Sequence, residues 1–271
     1  MLAEGVAARW SMPVRDYMSQ PLIFVAPTTS LSHVRRVLED RDISAVAVLE
    51  GATLAGILSS TDLLREARIG LTGPDRVIRI TAPARVAADL MRKDVVCIDE
   101  GQSLREAAAK MVEHRIHRLV VLRKGHAAGV ISTRDAMRSV LRGRVVTPLS
   151  EVMTSAVQTV DQDDDVAVAI ERLDDANVQG LVVVDGEWPV GVFTRTEALR
   201  ARALHAGLRD LPVERVMSYE TICLNVRTPL YRVAGHALAL RVRRILAVDE
   251  RRLRGIVTGF DLMRAMVTGE S

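Results

Sequence analysis

Three stretches of the chain place a hydroxyl three residues ahead of a short carboxylate: Ser59 with Asp62, Ser132 with Asp135, and Thr258 with Asp261. A fourth, Thr194 with Glu197, uses the longer acid. Each pair closes the same seven-residue phrase: Gly, two apolar residues, Ser or Thr, two variable positions, acid. The phrases begin at Gly56, Gly129, Gly191 and Gly255. Two chemistries fit this spacing. A hydroxyl at a helix N-cap with an acid at N3 forms a capping box that satisfies two orphan amides, and this explains all four copies. A carboxylate held at a helix mouth can also accept hydroxyl groups from a ligand whose anionic part is drawn to the helix N-terminus. Two details favour a ligand. Three copies use the shorter acid, and Arg134 and Arg195 fall in the first helical turn, where a cation opposes the helix dipole unless an anion joins it. Arg195 shares its copy with Glu197 and can instead pair with a local acid.

Other chemistry is poorly supported. The polar phrase residues recur by position, whereas an active site needs different groups converging on one reacting atom, so no catalytic residue is assigned and the chain is not read as an enzyme. No phosphate-gripping Gly-rich loop with its Lys occurs, and the chain has three lysines in all, Lys93, Lys110 and Lys124. The histidines lack metal-ligand spacing. Cys97 and Cys223 each sit in an apolar run six residues after a repeated Met, and read as small buried hydrophobes.

The elements that must position the acids come from a fourfold repeat. Met18, Met91, Met153 and Met217 each end a short amphipathic phrase, and each lies 38 residues before a phrase glycine. Within a copy the order is β-α-β-β-α. In the first, a strand near Leu22 to Val25 leads through a polar turn to a helix patterned by Leu31, Val34, Val37 and Leu38. A strand from Ala45 to Leu49, a Glu50-Gly51 turn and a strand from Leu54 to Leu58 follow, and a second helix starts near Ser60. The fold class is thus α/β, with repeats over 14–67, 86–140, 149–202 and 213–266. Linkers are expected at Arg68 to Pro83, Arg142 to Pro148 and Ala206 to Pro212. One unit of this size buries too little surface to be secure alone, so copies one and two, and three and four, are expected to pair as modules 1–143 and 144–271.

Hydrophobic residues make up 48% of the 271 and charged residues 26%, a globular balance. Every apolar run is interrupted by charge well short of a membrane span, and Met1 to Trp10 lacks an apolar signal core, so a cytoplasmic protein is expected. Residues 1–143 carry 21 Lys and Arg against 16 Asp and Glu, and the remainder 16 against 18, which makes the first half the basic one. That half and the arginines of the first linker (Arg76, Arg79, Arg85) keep nucleic-acid binding open as an alternative. Three Phe, three Tyr and two Trp are few for a base-stacking surface.

The repeat architecture, the S/T-x-x-D ending and the phrase His114-Arg115-Ile116-His117-Arg118-Leu119-Val120-Val121 together resemble the cystathionine-β-synthase (CBS) domain family over about residues 14–266. The resemblance implies four CBS domains in two Bateman modules that bind adenine nucleotides (AMP, ADP or ATP, with S-adenosylmethionine or cyclic di-AMP as variants) in clefts between paired domains. It implies a regulatory role toward a protein target not named by the sequence, and homodimerisation through the outer helices. Carried over by residue, Ser59/Asp62, Ser132/Asp135 and Thr258/Asp261 take the ribose. His117 and Arg118 in copy two, and Arg243 and Arg244 in copy four, take phosphate; without the resemblance His117 reads as a partly buried histidine beside a strand. Ser44-Ala45 and Gln179-Gly180 hold the matching places in copies one and three. Module one, with Asp62, Asp135, His117 and Arg118, is the first expected site, and Asp261 with Arg243 and Arg244 the second. Copy three, with Glu197 and the acid run Asp161, Asp163, Asp164 and Asp165, is expected to be empty or altered. A scaffold whose clefts have lost their ligands is the remaining alternative.

Overall fold

A computed structural model describes residues 10–66, 68–72, 77–81, 85–204 and 210–268. In copy one, β1 (Phe24–Val25) pairs parallel to β2 (Ala45–Glu50), which pairs antiparallel to β3 (Thr53–Ser59). Helix α1 (Leu31–Asp40) starts where Ser30 accepts a hydrogen bond from the His33 amide, and buries Leu31, Val34 and Leu38 at helical spacing. The β2–β3 turn uses Gly51 at φ +61°, the left-handed region a tight hairpin requires. Helix α2 (Ser60–Glu66) completes the unit.

The expected first linker is instead a second hairpin, β4 (Arg68–Thr72) antiparallel to β5 (Val77–Thr81). β-branched residues such as Ile69, Val77, Ile78 and Ile80 favour the two strands, while Gly73, Pro74 and Pro83 lie outside the described residues.

Copy two repeats the plan with β6 (Cys97–Asp99), α3 (Leu104–Glu113), β7 (Arg118–Arg123), β8 (His126–Ser132) and α4 (Thr133–Arg142). Copy three has β9 (Thr159–Asp161), α5 (Val166–Asp175), β10 (Gly180–Asp185), β11 (Trp188–Thr194) and α6 (Arg195–Leu204). Copy four has β12 (Thr221–Asn225), α7 (Leu230–Leu240), β13 (Arg244–Asp249), β14 (Arg252–Thr258) and α8 (Gly259–Thr268). The repetition extends to irregularities. Each central hairpin has its register break at the same place, between Val48/Leu49, Val121/Leu122, Val183/Val184 and Ala247/Val248. Each first helix is followed by a left-handed residue, Asp42, Arg115, Asn177 and Arg241.

The copies are joined by exchange of their leading segments. Val14 and Met18, which open copy one, lie in the core built by copy two, and Ala87, Leu90 and Met91, which open copy two, pack in the core of copy one. Leu149 and Met153 enter copy four, and Val213 and Met217 enter copy three. Reciprocal backbone bridges, Ser19 with Val130, Ile57 with Arg92, Thr154 with Ile256 and Val192 with Ser218, fix the exchange. The phrase glycines are the seats of these methionines. A Cβ on Gly56, Gly191 or Gly255 would stand 2.7–2.8 Å from the sulfur of Met91, Met217 or Met153, and one on Gly129 2.6 Å from the Ser19 carbonyl oxygen. Copies one with two, and three with four, therefore pair by shared cores.

A single apolar cluster also joins copies two and four, with α4 packed on α7 and α8, and α3 on α8. Apolar helix faces of copies two and four are thus buried against each other within one chain. Copies one and three touch through α2, β4 and α6.

Candidate functional site

All four phrase acids are buried, with relative exposures of 6% for Asp62, 1% for Asp135, 6% for Glu197 and 4% for Asp261. Each spends one oxygen on its helix cap. Asp135 Oδ2 accepts from the Ser132 amide (2.8 Å) and hydroxyl (2.7 Å), and Asp261 Oδ2 from the Thr258 amide and hydroxyl (2.7 Å each). Asp62 accepts from the Ser59 amide (3.0 Å) and hydroxyl, and Glu197 from the Thr194 amide (3.1 Å) and hydroxyl. The extra methylene of Glu197 does not disturb the cap, so capping is satisfied in every copy.

The second oxygen separates the copies. Asp62 Oδ1 accepts from Arg92 Nη2 (3.1 Å) and Nε (3.3 Å). Asp261 Oδ1 accepts from the Thr154 hydroxyl (2.8 Å) and from Arg264. Asp135 Oδ1 accepts from Arg138. Arg92 and Thr154 each follow a repeated Met and arrive from the paired copy on the exchanged segment. Neither was visible as a site residue in the sequence, because the exchange is tertiary. Arg138 and Arg264 did leave a signal: every phrase acid has an Arg three residues later, namely Arg65, Arg138, Arg200 and Arg264.

These contacts set the carboxyl pKa values. Burial would raise Asp62, but the Ser59 hydroxyl and amide together with Arg92 outweigh it and hold the group below the usual carboxylate range. At Asp135 burial prevails over Ser132 and Arg138, and the pKa is raised.

The basic residues converge on the seams between copies. Arg118, the first residue of β7, donates from Nη2 to the Ser44 hydroxyl of copy one (3.0 Å). Burial first, then Arg243, lowers its pKa to about 10, while the charge of Asp62 acts the other way. Arg244 is lowered by burial and supported by Glu197, then opposed by Arg243. His117 is lowered by its protein surroundings and then by Arg118, Arg243 and Arg244. Its ring meets Phe260 of copy four edge-on, with centroids 5.5 Å apart. The starts of α4 and α8 abut there, with Thr133 against Gly259.

Arg118 feels the charge of Asp62 of copy one, its companion in the first expected site, and Arg244 feels that of Glu197 of copy three. His117 feels Arg118 of its own copy together with Arg243 and Arg244 of copy four. Each base stands at the start of a central strand, and pairing of the sheets turns that end toward the other copy. Arg134 is half-buried in the first turn of α4 with no ion pair among the described residues. Arg195 pairs with a local acid, donating to Asp174 (3.0 Å) and to the Val178 and Leu173 carbonyls. The acid run of copy three is tied into its own turn, with Asp164 accepting from the Asp161 amide and pairing with Arg172 at 3.1 Å. Of the linker arginines, Arg76 and the side chain of Arg79 lie outside the described residues, and Arg85 pairs with Asp89. Burial raises both Cys97 and Cys223, which keeps them protonated at neutral pH. Among the described residues, no helix is long and apolar enough to cross a membrane.

Four β-α-β-β-α units, paired by exchanged segments and closed by acid-capped helices around cationic seams, define an internally repeated α/β protein. The profile of the CBS domain matches residues 14–68, 86–142, 149–204 and 213–268, and the chain belongs to the CBS domain family. An uncharacterized protein of Methanocaldococcus jannaschii is 24% identical over 93% of this chain and 61% of its own length. The A-adding tRNA nucleotidyltransferase of Geobacter sulfurreducens is 30% identical over 54% of this chain but only 18% of that enzyme. The chain thus matches less than two thirds of either relative. Among solved structures, a candidate archaeal homologue of g-AMPK from Methanocaldococcus jannaschii superposes with a TM-score of 0.71 at 16% identity, covering 93% of this chain and 99% of that one. An uncharacterized conserved protein from Pyrococcus horikoshii gives 0.67 at 20% identity, covering 94% and 100%. These likenesses establish the shared fold.

Proposed function

We propose that this protein is a non-catalytic regulatory sensor that binds adenine nucleotides in the clefts between paired CBS domains and relays occupancy to a protein partner by reorienting them. The observation that carries this reading is the gathering of Arg118, His117, Arg243 and Arg244 on seams that also hold acid-capped helix mouths. Burial and the neighbouring charge of Arg243 lower Arg118 and Arg244, so a phosphate at these two guanidinium groups relieves a standing cost. The ribose hydroxyls take the second oxygen of the motif Asp, displacing Arg92, Arg138 or Arg264. Because each cleft is built from two copies, a ligand biases their relative orientation to the extent that it binds one arrangement better.

A thermal-shift series with AMP, ADP, ATP, S-adenosylmethionine and cyclic di-AMP tests this. A ligand at 100 times its Kd is expected to stabilise by about 2.7 kcal/mol. Phosphate-bearing ligands should outperform S-adenosylmethionine, which brings no phosphate to the cations. Arg118→Ala should weaken the best ligand about tenfold or more, consistent with ~1.5–3 kcal/mol for a hydrogen bond to a charged group. Absence of any shift would sink the proposal.

A further inference from the structure

An open groove of about 270 Å3 lies between copies three and four; no motif acid lines it, although Ser155 at one edge follows Thr154, the partner of Asp261. Leu253 in its wall and Thr258 at the cap are five residues apart on β14, about 17 Å at ~3.3 Å per strand residue. The groove is at the hairpin end of the paired sheets, whereas the acids and the basic seams are at the helix-cap end.

Its composition is specific. Val157, Val184 and Leu253 form an apolar floor that continues the cluster between the two sheets. Arg252 is fixed by Glu187 across the copies at 2.8 Å, and the Leu253 amide donates to the Glu187 carbonyl at 3.1 Å. Arg254 is exposed and makes no hydrogen bond or ion pair among the described residues. Ser155 and Thr159 add hydroxyls to the opposite wall. With one guanidinium matched by Glu187, the lining retains a single positive charge.

The repeat supplies an internal comparison. Arg252 and Arg254 stand three and one residues before the phrase glycine. The same two places hold Thr53 and Ala55 in copy one, His126 and Ala128 in copy two, and Trp188 and Val190 in copy three. In module one, Phe24 replaces Thr159, and Gln20, which replaces Ser155, accepts from Arg123 at 3.1 Å. The pair of cations on an apolar floor is thus peculiar to this one of the four equivalent positions, and no feature of the shared fold demands it.

We propose that this groove is a second ligand site, selective for a small monocarboxylate with an apolar body. The carboxylate is forked by Arg254, the group best shaped to hold it with two parallel hydrogen bonds. The body lies on Val157, Val184 and Leu253. The single net charge favours a monoanion over a phosphate dianion, and the volume falls just below the range of drug-sized ligand pockets, about 300–1,000 Å3, which limits the occupant to a small molecule. Because the groove is lined by residues of both copies, an occupant bridges copy three to copy four. The site stands independently of any nucleotide binding.

The test is a methyl-labelled NMR titration of the full chain with sodium hexanoate, using hexan-1-ol and inorganic phosphate as controls. Saturable shifts centred on Val157, Val184 and Leu253 are expected with hexanoate, each control binding at least about tenfold more weakly. Arg254→Ala, at an exposed position that leaves the fold intact, should weaken hexanoate about tenfold, and Arg254→Lys by less. No saturable shift at these methyls, equal binding of the alcohol, or unchanged binding in Arg254→Ala each overturns the proposal.

Discussion

Two buried carboxylates in equivalent caps are driven in opposite directions by the balance of burial against their hydrogen-bond donors. Asp62 receives Arg92 from the paired copy through two nitrogens and is held below the usual carboxylate range, whereas Asp135 is almost wholly buried and is raised. A depressed acid contributes stability above its unfolded pKa, about 3.9, and loses it as pH falls through the lower folded value. A raised acid contributes below that pKa and loses the contribution as pH rises through the folded value. At pH 7, Asp62→Asn should therefore cost about 1–3 kcal/mol in urea unfolding, and Asp135→Asn distinctly less. His117 follows a related logic. Its folded pKa is depressed, so below about pH 6.5 the unfolded chain takes up a proton that the fold resists, and stability falls with pH. His117→Gln should flatten that part of the stability–pH curve between pH 5 and 7, and a bound anion should flatten it in the native protein.

At the scale of elements, the glycine and methionine of the repeat are two halves of one contact. The constant 38-residue separation within a copy places a Met at the entrance of one sheet and a Gly on its last strand, and exchange brings each against its counterpart in the other copy. Gly129→Ala drives a Cβ onto the Ser19 backbone, which cannot retreat without breaking the bridge to Val130, and should cost about 1–3 kcal/mol. Gly235, inside α7, is different: its nearest neighbour would be a Leu141 methyl at 3.5 Å, an ordinary contact. Gly235→Ala should stabilise by about 0.5–1 kcal/mol through helix propensity. Differential scanning calorimetry of the two variants checks the opposite signs. The β4–β5 hairpin shows the converse problem, since Pro and Gly in 68–83 read as linker although the flanking residues alternate as strands.

For the whole molecule, the cluster spanning copies two and four makes the two modules interdependent. Residues 1–143 and 144–271 expressed apart would each expose the apolar helix pair that the other covers. Each should self-associate through that face, and mixing should restore a heterodimer in preference; analytical ultracentrifugation reads both outcomes. The full chain, with that face filled, should show no association through these helices.

Periodicity, fixed spacing and the recurring cap were sufficient to reveal four β-α-β-β-α units, their class and the acids at their helix mouths, because these are local properties of the chain. Which side chain meets which acid was decided elsewhere. Arg92 on Asp62, Thr154 on Asp261, Arg118 beside Ser44 and Arg244 toward Glu197 all join residues of different copies. Sequence order assigns each leading segment to the copy it precedes, while burial of its Met under the partner's glycine assigns it to the other. Tertiary packing thus distributed the cations along the seams, and left the groove of Arg252 and Arg254 open where three equivalent positions lack its charges.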